Sequence, residues 1–178
     1  ELYTHLTNPI NPDSDDDVLL DGAEVITHST DPLDTDSDDD GLTDAEEVIT
    51  YITDPNDSDM DDDGLLDGAE VSKHLTDPKN ADSDSDGLTD GYEVNTFVTN
   101  PNSSDSDSDG INDAHETQTG VWVSETDTGT NPNSSDSDSD GIIDSAETNT
   151  DLYVSAEDTG TDPNKKDSDA DGLDDQSE

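Results

Sequence analysis

Residues 82–93 read DSDSDGLTDGYE, with aspartates at positions 1, 3, 5 and 9 and a glutamate at position 12. Carboxylates crowded within a few ångströms cannot all ionise unless a positive charge lies among them. Alternating side chains on a curling backbone can be aimed at one central point, and five acidic groups there make an all-oxygen site for a hard cation. The same twelve-residue pattern, D-x-D-x-D-G-[LI]-x-D-x-x-E, begins at Asp13, Asp36, Asp59, Asp82, Asp105, Asp136 and Asp167. All 35 acidic positions in the seven copies are filled.

The repeat overturns what bulk composition suggests. The 178 residues hold 52 acidic against 4 basic side chains, a net charge of -48, with 24% hydrophobic and 3% aromatic residues. Such a chain buries too little apolar area to offset its conformational entropy, which points to a disordered polymer. Charge placed at fixed spacing argues otherwise. The glutamates ending each segment, Glu1, Glu24, Glu47, Glu70, Glu93, Glu116, Glu147 and Glu178, are 23 residues apart five times and then 31 residues apart twice. They divide the chain into repeats 1–23 (atypical loop), 24–46, 47–69, 70–92, 93–115, 116–146 and 147–178, the last two enlarged by an insertion. Glu1 ends a loop that lies before the chain and Glu178 closes the seventh, the register expected of a window from a longer array or of a subunit meeting identical ends in a polymer.

The negative charge also excludes partners. Nucleic acid and anionic membrane would be repelled, and cations are the natural ligands. The chain has no cysteine, so disulfides supply no stability. It has no apolar run of about 18 residues for a membrane span and no amino-terminal signal peptide.

Each loop position has a physical role. Position 1 is Asp13, Asp36, Asp59, Asp82, Asp105, Asp136 and Asp167; position 3 is Asp15, Asp38, Asp61, Asp84, Asp107, Asp138 and Asp169. Position 5 is Asp17, Asp40, Asp63, Asp86, Asp109, Asp140 and Asp171. Glycine at position 6 permits the sharp turn, and position 7 offers a backbone carbonyl from Leu42, Leu65, Leu88, Ile111, Ile142 or Leu173. Position 9, Asp21, Asp44, Asp67, Asp90, Asp113, Asp144 or Asp175, binds directly or through water; Glu24, Glu47, Glu70, Glu93, Glu116, Glu147 or Glu178 closes the site with both oxygens. A flexible cage of this many oxygens suits calcium better than the smaller, octahedral magnesium, so at least one calcium ion per repeat is expected. Asp90-x-x-Glu93 also reads as a helix capping box, compatible with a metal role. The first loop, DSDDDVLLDGAE, has Val18 where the other six have Gly41, Gly64, Gly87, Gly110, Gly141 and Gly172. A β-branched residue resists positive φ, so this loop is expected to be distorted or weaker.

Short elements must hold these loops. Leu42, Ala45, Val48 and Tyr51 or Ile52 form a stripe at helical spacing that ends before Thr53-Asp54-Pro55, where proline imposes a turn. No room remains for a helix entering the loop. Each unit is half an EF-hand: turn, Asp-rich calcium loop, short helix. So short a helix is unstable alone and must pack on its neighbour, the ions standing in for a core. The expected fold is therefore a calcium-stabilised linear repeat array with little regular sheet and no conventional hydrophobic core.

His5, His28 and His74 share a repeat position with Tyr51 and Phe97, which reads as flat packing under the next loop rather than a transition-metal site. The two insertions, GVWVSETDTGTNP and DLYVSAEDTGTDP, align Val121, Trp122 and Val123 with Leu152, Tyr153 and Val154, a strand or protruding arm. Trp122 is expected to pack on its own repeat. The arms carry Asp127-Thr128-Gly129 and Asp158-Thr159-Gly160, which imitate aspartic-protease triplets, but their polar flanks and the lack of two apolar lobes argue against that chemistry. No nucleophile–base pair stands out, and no enzyme is expected. Asn56, Asn102 and Asn133 begin N-x-S sequons where glycans could attach.

Through TDPNDSDMDDDGLLDGAE at residues 53–70 and its counterparts, the chain resembles thrombospondin type 3 repeats in their cysteine-free prokaryotic form. Its loops are also similar to those of EF-hands and dockerins, which usually carry the apolar residue at position 8 rather than 7. The resemblance implies extracellular or cell-surface, calcium-laden arrays acting as spacers, stalks or adhesion elements, without catalysis. The expected partners are calcium ions and neighbouring repeats or identical subunits end to end, with no nucleic acid and no membrane insertion. An adhesin segment with the arms engaging a partner, or a disordered calcium buffer, are the alternatives.

Overall fold

A computed structural model describes residues 7–177. The expectations for Glu1, His5 and Glu178 lie outside the described residues. The chain divides into two compact units, Glu1–Ser83 and Asp84–Glu178, with the division inside the fourth loop.

Each acidic loop is wound by two left-handed residues. Position 4 takes φ from 60° to 66° at Asp16, Asp39, Asp62, Ser85, Ser108, Ala170 and Ser139. Position 6 takes φ between 94° and 108° in all seven copies. Val18, at 94°, adopts the glycine conformation instead of distorting the loop, because its side chain is 73% exposed and meets no packed neighbour that would forbid it. The left-handed geometry still strains a β-branched residue.

The winding turns backbone N–H groups inward onto carboxylates. In the second loop Asp40 N donates to Asp36 Oδ1 at 3.2 Å and Gly41 N to Asp36 Oδ2 at 3.1 Å. Leu42 N donates to Asp40 Oδ1 at 2.7 Å. The loop is closed by a backbone bond from Asp44 N to Thr35 O at 3.0 Å, repeated from Asp67 to Ser58 and from Asp113 to Ser104.

After position 9 the chain turns helical. In four repeats an α-helical turn runs straight into a π-helical segment: Asp21–Ala23 into Glu24–His28, Asp44–Glu46 into Glu47–Tyr51, Asp67–Ala69 into Glu70–His74, and Asp90–Tyr92 into Glu93–Phe97. The expected helix is present, but its cap is position 8 rather than position 9. Thr43 and Glu46 form a capping box, and Thr89 Oγ1 accepts from Tyr92 N, while Asp90 is the first helical residue. Each helix ends in a left-handed residue, Ser29, Ile52, Leu75 or Val98, whose N–H returns to the glutamate carbonyl. Ile52 is therefore this cap, 62% exposed and off the buried stripe formed by Leu42 and Ala45. The next threonine is buried at Thr30, Thr53 and Thr99, and prolines 32, 55, 78 and 101 are buried behind it.

The last three loops end in single 3-10 turns, Asp113–His115, Asp144–Ala146 and Asp175–Ser177. After the first two of these the insertions fold as narrow excursions held by isolated bridges, Ser124 with Asp127 and Ser155 with Asp158. They are arms rather than strands. Val121, Val123, Leu152, Tyr153 and Val154 are exposed and Trp122 is half-buried. Phe97 packs on Tyr92 of its own helix, ring centroids 5.0 Å apart. Little of the interior is apolar: among the described residues the buried hydrophobic side chains are Leu19, Leu42, Ala45, Leu65 and Ala146.

Candidate metal centre

The buried side chains are mostly acids. Glu24, Glu47, Glu70, Glu93 and Glu116 are fully buried, as are Asp44, Asp67, Asp90 and Asp113. Carboxylate oxygens of Asp13, Asp15 and Asp17 lie within 4.8 Å of one another, as do those of Asp36, Asp38 and Asp40, of Asp59, Asp61 and Asp63, and of Asp105, Asp107 and Asp109. In the fourth loop Asp82 falls in the first unit, and Asp84, Asp86, Asp90 and Glu93 in the second. In the sixth and seventh loops the same turns recur, with Gly141 N on Asp136 Oδ2 and Gly172 N on Asp167 Oδ2, each at 2.9 Å. Asp169, Asp171 and Leu173 in the last loop are exposed, and Asp175 is buried.

Hydrogen bonds sort the acids into two kinds. Position 9 is engaged by position 2: Ser37 N and Oγ donate to the two oxygens of Asp44, both at 2.8 Å. Ser14 does the same for Asp21, Ser137 for Asp144 and Ser168 for Asp175. In the third loop Met60 stands at position 2 and its N–H reaches Asp67 Oδ1 while Oδ2 is left without a partner; in the fifth Ser106 N reaches Asp113 Oδ1 and Asp113 Oδ2 is likewise unpartnered. The seryl oxygen also accepts the N–H before the proline, as from Asn131 to Ser137 at 2.8 Å.

Positions 3 and 12 are different. Oδ2 of Asp15, Asp38, Asp107 and Asp138 is buried with no partner, and so is Oε2 of Glu24, Glu47, Glu70, Glu93, Glu116 and Glu147. At Glu24 both oxygens, and Thr30 Oγ1, are buried without a partner; in the other five the second glutamate oxygen is held by the threonine that precedes the Asx-Pro pair. Thr53 Oγ1 donates to Glu47 Oε1 at 3.3 Å, Thr76 to Glu70 and Thr99 to Glu93 at 3.1 Å. In the inserted repeats Thr130 and Thr161 do the same for Glu116 and Glu147, at 3.0 and 2.9 Å.

Bare, these oxygens are costly. Burial, then repulsion from Asp38 and Asp40, pushes Glu47 up to about 8. Burial likewise holds Glu24, Glu70 and Glu93 at about 8, and Glu116 and Glu147 at about 9. Asp38 and Asp138 are raised to about 6 for the same reason. Among the described residues, the ion pairs of Lys165 with Asp162 and of Lys166 with Asp174 involve none of these carboxylates. Unpartnered, inward-facing oxygens from positions 3 and 12 beside the ligand-spaced aspartates fit a bound cation, which would supply the missing partner.

Three contributors escaped the sequence reading: serine at position 2, threonine six or fourteen residues after the glutamate, and the left-handed position 4. The first two had a signal, since serine fills position 2 in six of seven loops and threonine precedes seven of the eight Asx-Pro pairs, Asn11-Pro12 being the exception. Asn56, read as a sequon, spends its amide on His28 O at 3.0 Å and on Asp54 Oδ1 at 3.2 Å. Asn133 Nδ2 donates to Phe97 O at 3.0 Å. Asn102, in the remaining sequon, donates its backbone N–H to Asn100 Oδ1 at 3.3 Å.

A chain of tandem acidic loops, each followed by a short helical turn, defines a repeat protein with candidate cation sites. Residues 36–58, 59–81 and 82–104 match the bacterial TSP3 repeat, so these three tandem units are thrombospondin type 3 repeats. No curated protein matches the chain. Among solved structures, the B domain of a biofilm associated protein is 47% identical over 25% of this chain and 11% of that one, with a TM-score of 0.25. The BSP domain of a biofilm associated protein is 49% identical over 24% of this chain and 8% of that one, with a TM-score of 0.24. The chain thus spans about a tenth of each structure. Among the described residues no helix is long and apolar enough to cross a membrane.

Proposed function

We propose that this chain is a non-enzymatic, extracellular calcium-binding repeat protein, whose loops each take at least one ion and whose repeats stack as a rigid spacer, stalk or filament element. Repeats 1–23 through 147–178 are its units. The observation that carries the reading is the buried, unpartnered Oε2 of each described position-12 glutamate beside the position-1, 3 and 5 aspartates. Calcium supplies the charge, and the family match supports calcium over other hard cations. With so few buried apolar side chains, metal binding and folding are one free-energy change. Millimolar extracellular calcium suits the weak end of this loop class.

The arms favour a second reading, an adhesin segment. Apolar side chains are exposed on both, and a cavity of about 1010 Å³ under the second is lined in part by Ile142, Ile143, Ala146, Tyr153 and Ala156. Under this reading the stalk also grips a partner.

The test is a calcium titration of the chelator-stripped chain, followed by circular dichroism and small-angle scattering. Helical signal and an elongated, stiff particle should appear together and vanish with chelator. Ion binding to a chain that stays an expanded coil would leave only a calcium buffer and sink the structural role.

A further inference from the structure

The position-5 aspartate reaches beyond its own loop. Asp17 Oδ1 accepts from Leu19 N at 2.7 Å, and its Oδ2 accepts from Ala45 N at 3.0 Å, twenty-eight residues away in the next repeat. Asp40 repeats the arrangement, with Oδ1 on Leu42 N at 2.7 Å and Oδ2 on Gly68 N at 2.9 Å. Asp140 does so with Ile142 N at 2.7 Å and Gln176 N at 3.1 Å, thirty-six residues away. In each case the donor is position 10 of the following loop, an N–H of the first helical turn that has no partner within its own helix. The approach is close: a Cβ on Gly68 would stand 2.5 Å from Asp40 O.

We infer that the calcium sites of the first, second and sixth loops are finished by the repeat that follows: the position-10 N–H of the next repeat positions the position-5 carboxylate for metal, whereas Asp109 Oδ2 in the fifth loop is buried without such a partner. The inference rests on the calcium reading above. Support for a ligand at these loops comes separately from Glu24 and Glu147, buried with unpartnered oxygens beside Asp17 and Asp140. A carboxylate clamped at both oxygens cannot swing away from its like-charged neighbours, so the ion meets a preset ligand. When the next repeat is unfolded, that clamp is gone. By linkage, an ion in one loop equally stabilises the helical turn of the next. Position 5 is thus a positioning link as well as a ligand, and the coupling between sites has a defined atomic route.

The test uses the full chain and the position-6 amide resonances, which report each loop separately through their bonds to position 1: Val18 N to Asp13 Oδ2, Gly41 N to Asp36 Oδ2 and Gly141 N to Asp136 Oδ2. Ala45→Pro removes the donor at a helix position that tolerates proline, and Ala45→Gly keeps the N–H as control. The calcium midpoint read at Val18 should weaken about tenfold in Ala45→Pro, the size of one charge-assisted hydrogen bond, and change little in Ala45→Gly. Gln176→Pro against Gln176→Ala repeats the comparison at Gly141, near the chain end, and decides if Ala45→Pro does not fold. The inference is overturned if the proline variants move only their own loop, or if the controls move the preceding loop equally. A wild-type chain whose resonances ignore calcium would instead overturn the calcium reading itself.

Discussion

The repeats that end in a helix and those that carry an arm reach the same contact by different paths. After Glu47 the chain continues five helical residues, turns left-handed at Ile52, and presents Thr53 Oγ1 to Glu47 Oε1. After Glu116 it leaves helical conformation at once, with φ -104° and ψ 88°, and makes an eight-residue longer excursion. Thr130 nevertheless arrives at Glu116 Oε1, braced by Thr128 at 2.6 Å. Thr161, braced by Thr159, meets Glu147 in the same way. From Glu47 onward both kinds of repeat return a hydroxyl to the buried glutamate, and the path between is free to vary. That freedom makes the arms a place where sequence can be added without touching the metal ligands.

The largest test of this comparison is pH without metal. The folded-state values of about 8 at Glu47 and about 9 at Glu116 lie above the ordinary carboxylate value. A pKa raised by folding contributes stability that is complete below the unfolded value and is lost as pH rises through the folded one. Circular dichroism of the calcium-free chain should therefore show most structure near roughly pH 4 and progressively less as the pH rises through neutral. Calcium reverses the trend, since it binds the deprotonated ligands and its affinity rises with pH. Metal-free structure that strengthens steadily toward alkaline pH would contradict the burial of these acids.

Removing the returned hydroxyl comes next. Thr53→Val and Thr130→Val each leave one glutamate oxygen unsatisfied, with an expected loss of about 1–3 kcal/mol in the calcium-loaded chain, measurable by thermal melting. Equal effects would mean that helix and arm are interchangeable supports. A loss confined to Thr53→Val would show that Thr128 substitutes for its neighbour in the arm.

Val18→Gly should stabilise the first loop by about 1 kcal/mol or somewhat more, because glycine removes the penalty of left-handed geometry. Its calcium midpoint should move toward those of the glycine-containing loops. No change would mean that exposure lets Val18 relax at negligible cost.

The smallest effect is expected from deleting residues 118–125, which restores the 23-residue spacing. Gly129, already at φ 74°, would then fall at the left-handed cap position held elsewhere by Ile52 or Val98. Calcium binding at the fifth loop should change by less than about threefold, under 1 kcal/mol. A large loss there would mean the arm supports the site after all.

The acidic loops were legible because their geometry is local: twelve residues, alternate carboxylates and one left-handed turn determine which groups converge. The short helix, its stop before proline, and the scarcity of sheet were legible for the same reason. The distortion expected at Val18 is absent because propensity describes a residue's preference, and a wound loop can impose the disfavoured conformation on an exposed side chain. The insertions read as a strand or a protruding arm because β-forming residues run together at Val121–Val123 and at 152–154. Without a second strand to pair with, they became bridged turns.

By itself the sequence determined the candidate ligands, their spacing and the repeat register, since these are properties of contiguous residues. Only the tertiary structure decided which oxygens remain bare. Serine at position 2 takes up Asp44, threonine takes one oxygen of Glu47, and a backbone N–H twenty-eight residues on takes Asp17. Those partners meet only when the chain folds back on itself, and the oxygens they leave unpaired define where positive charge must sit.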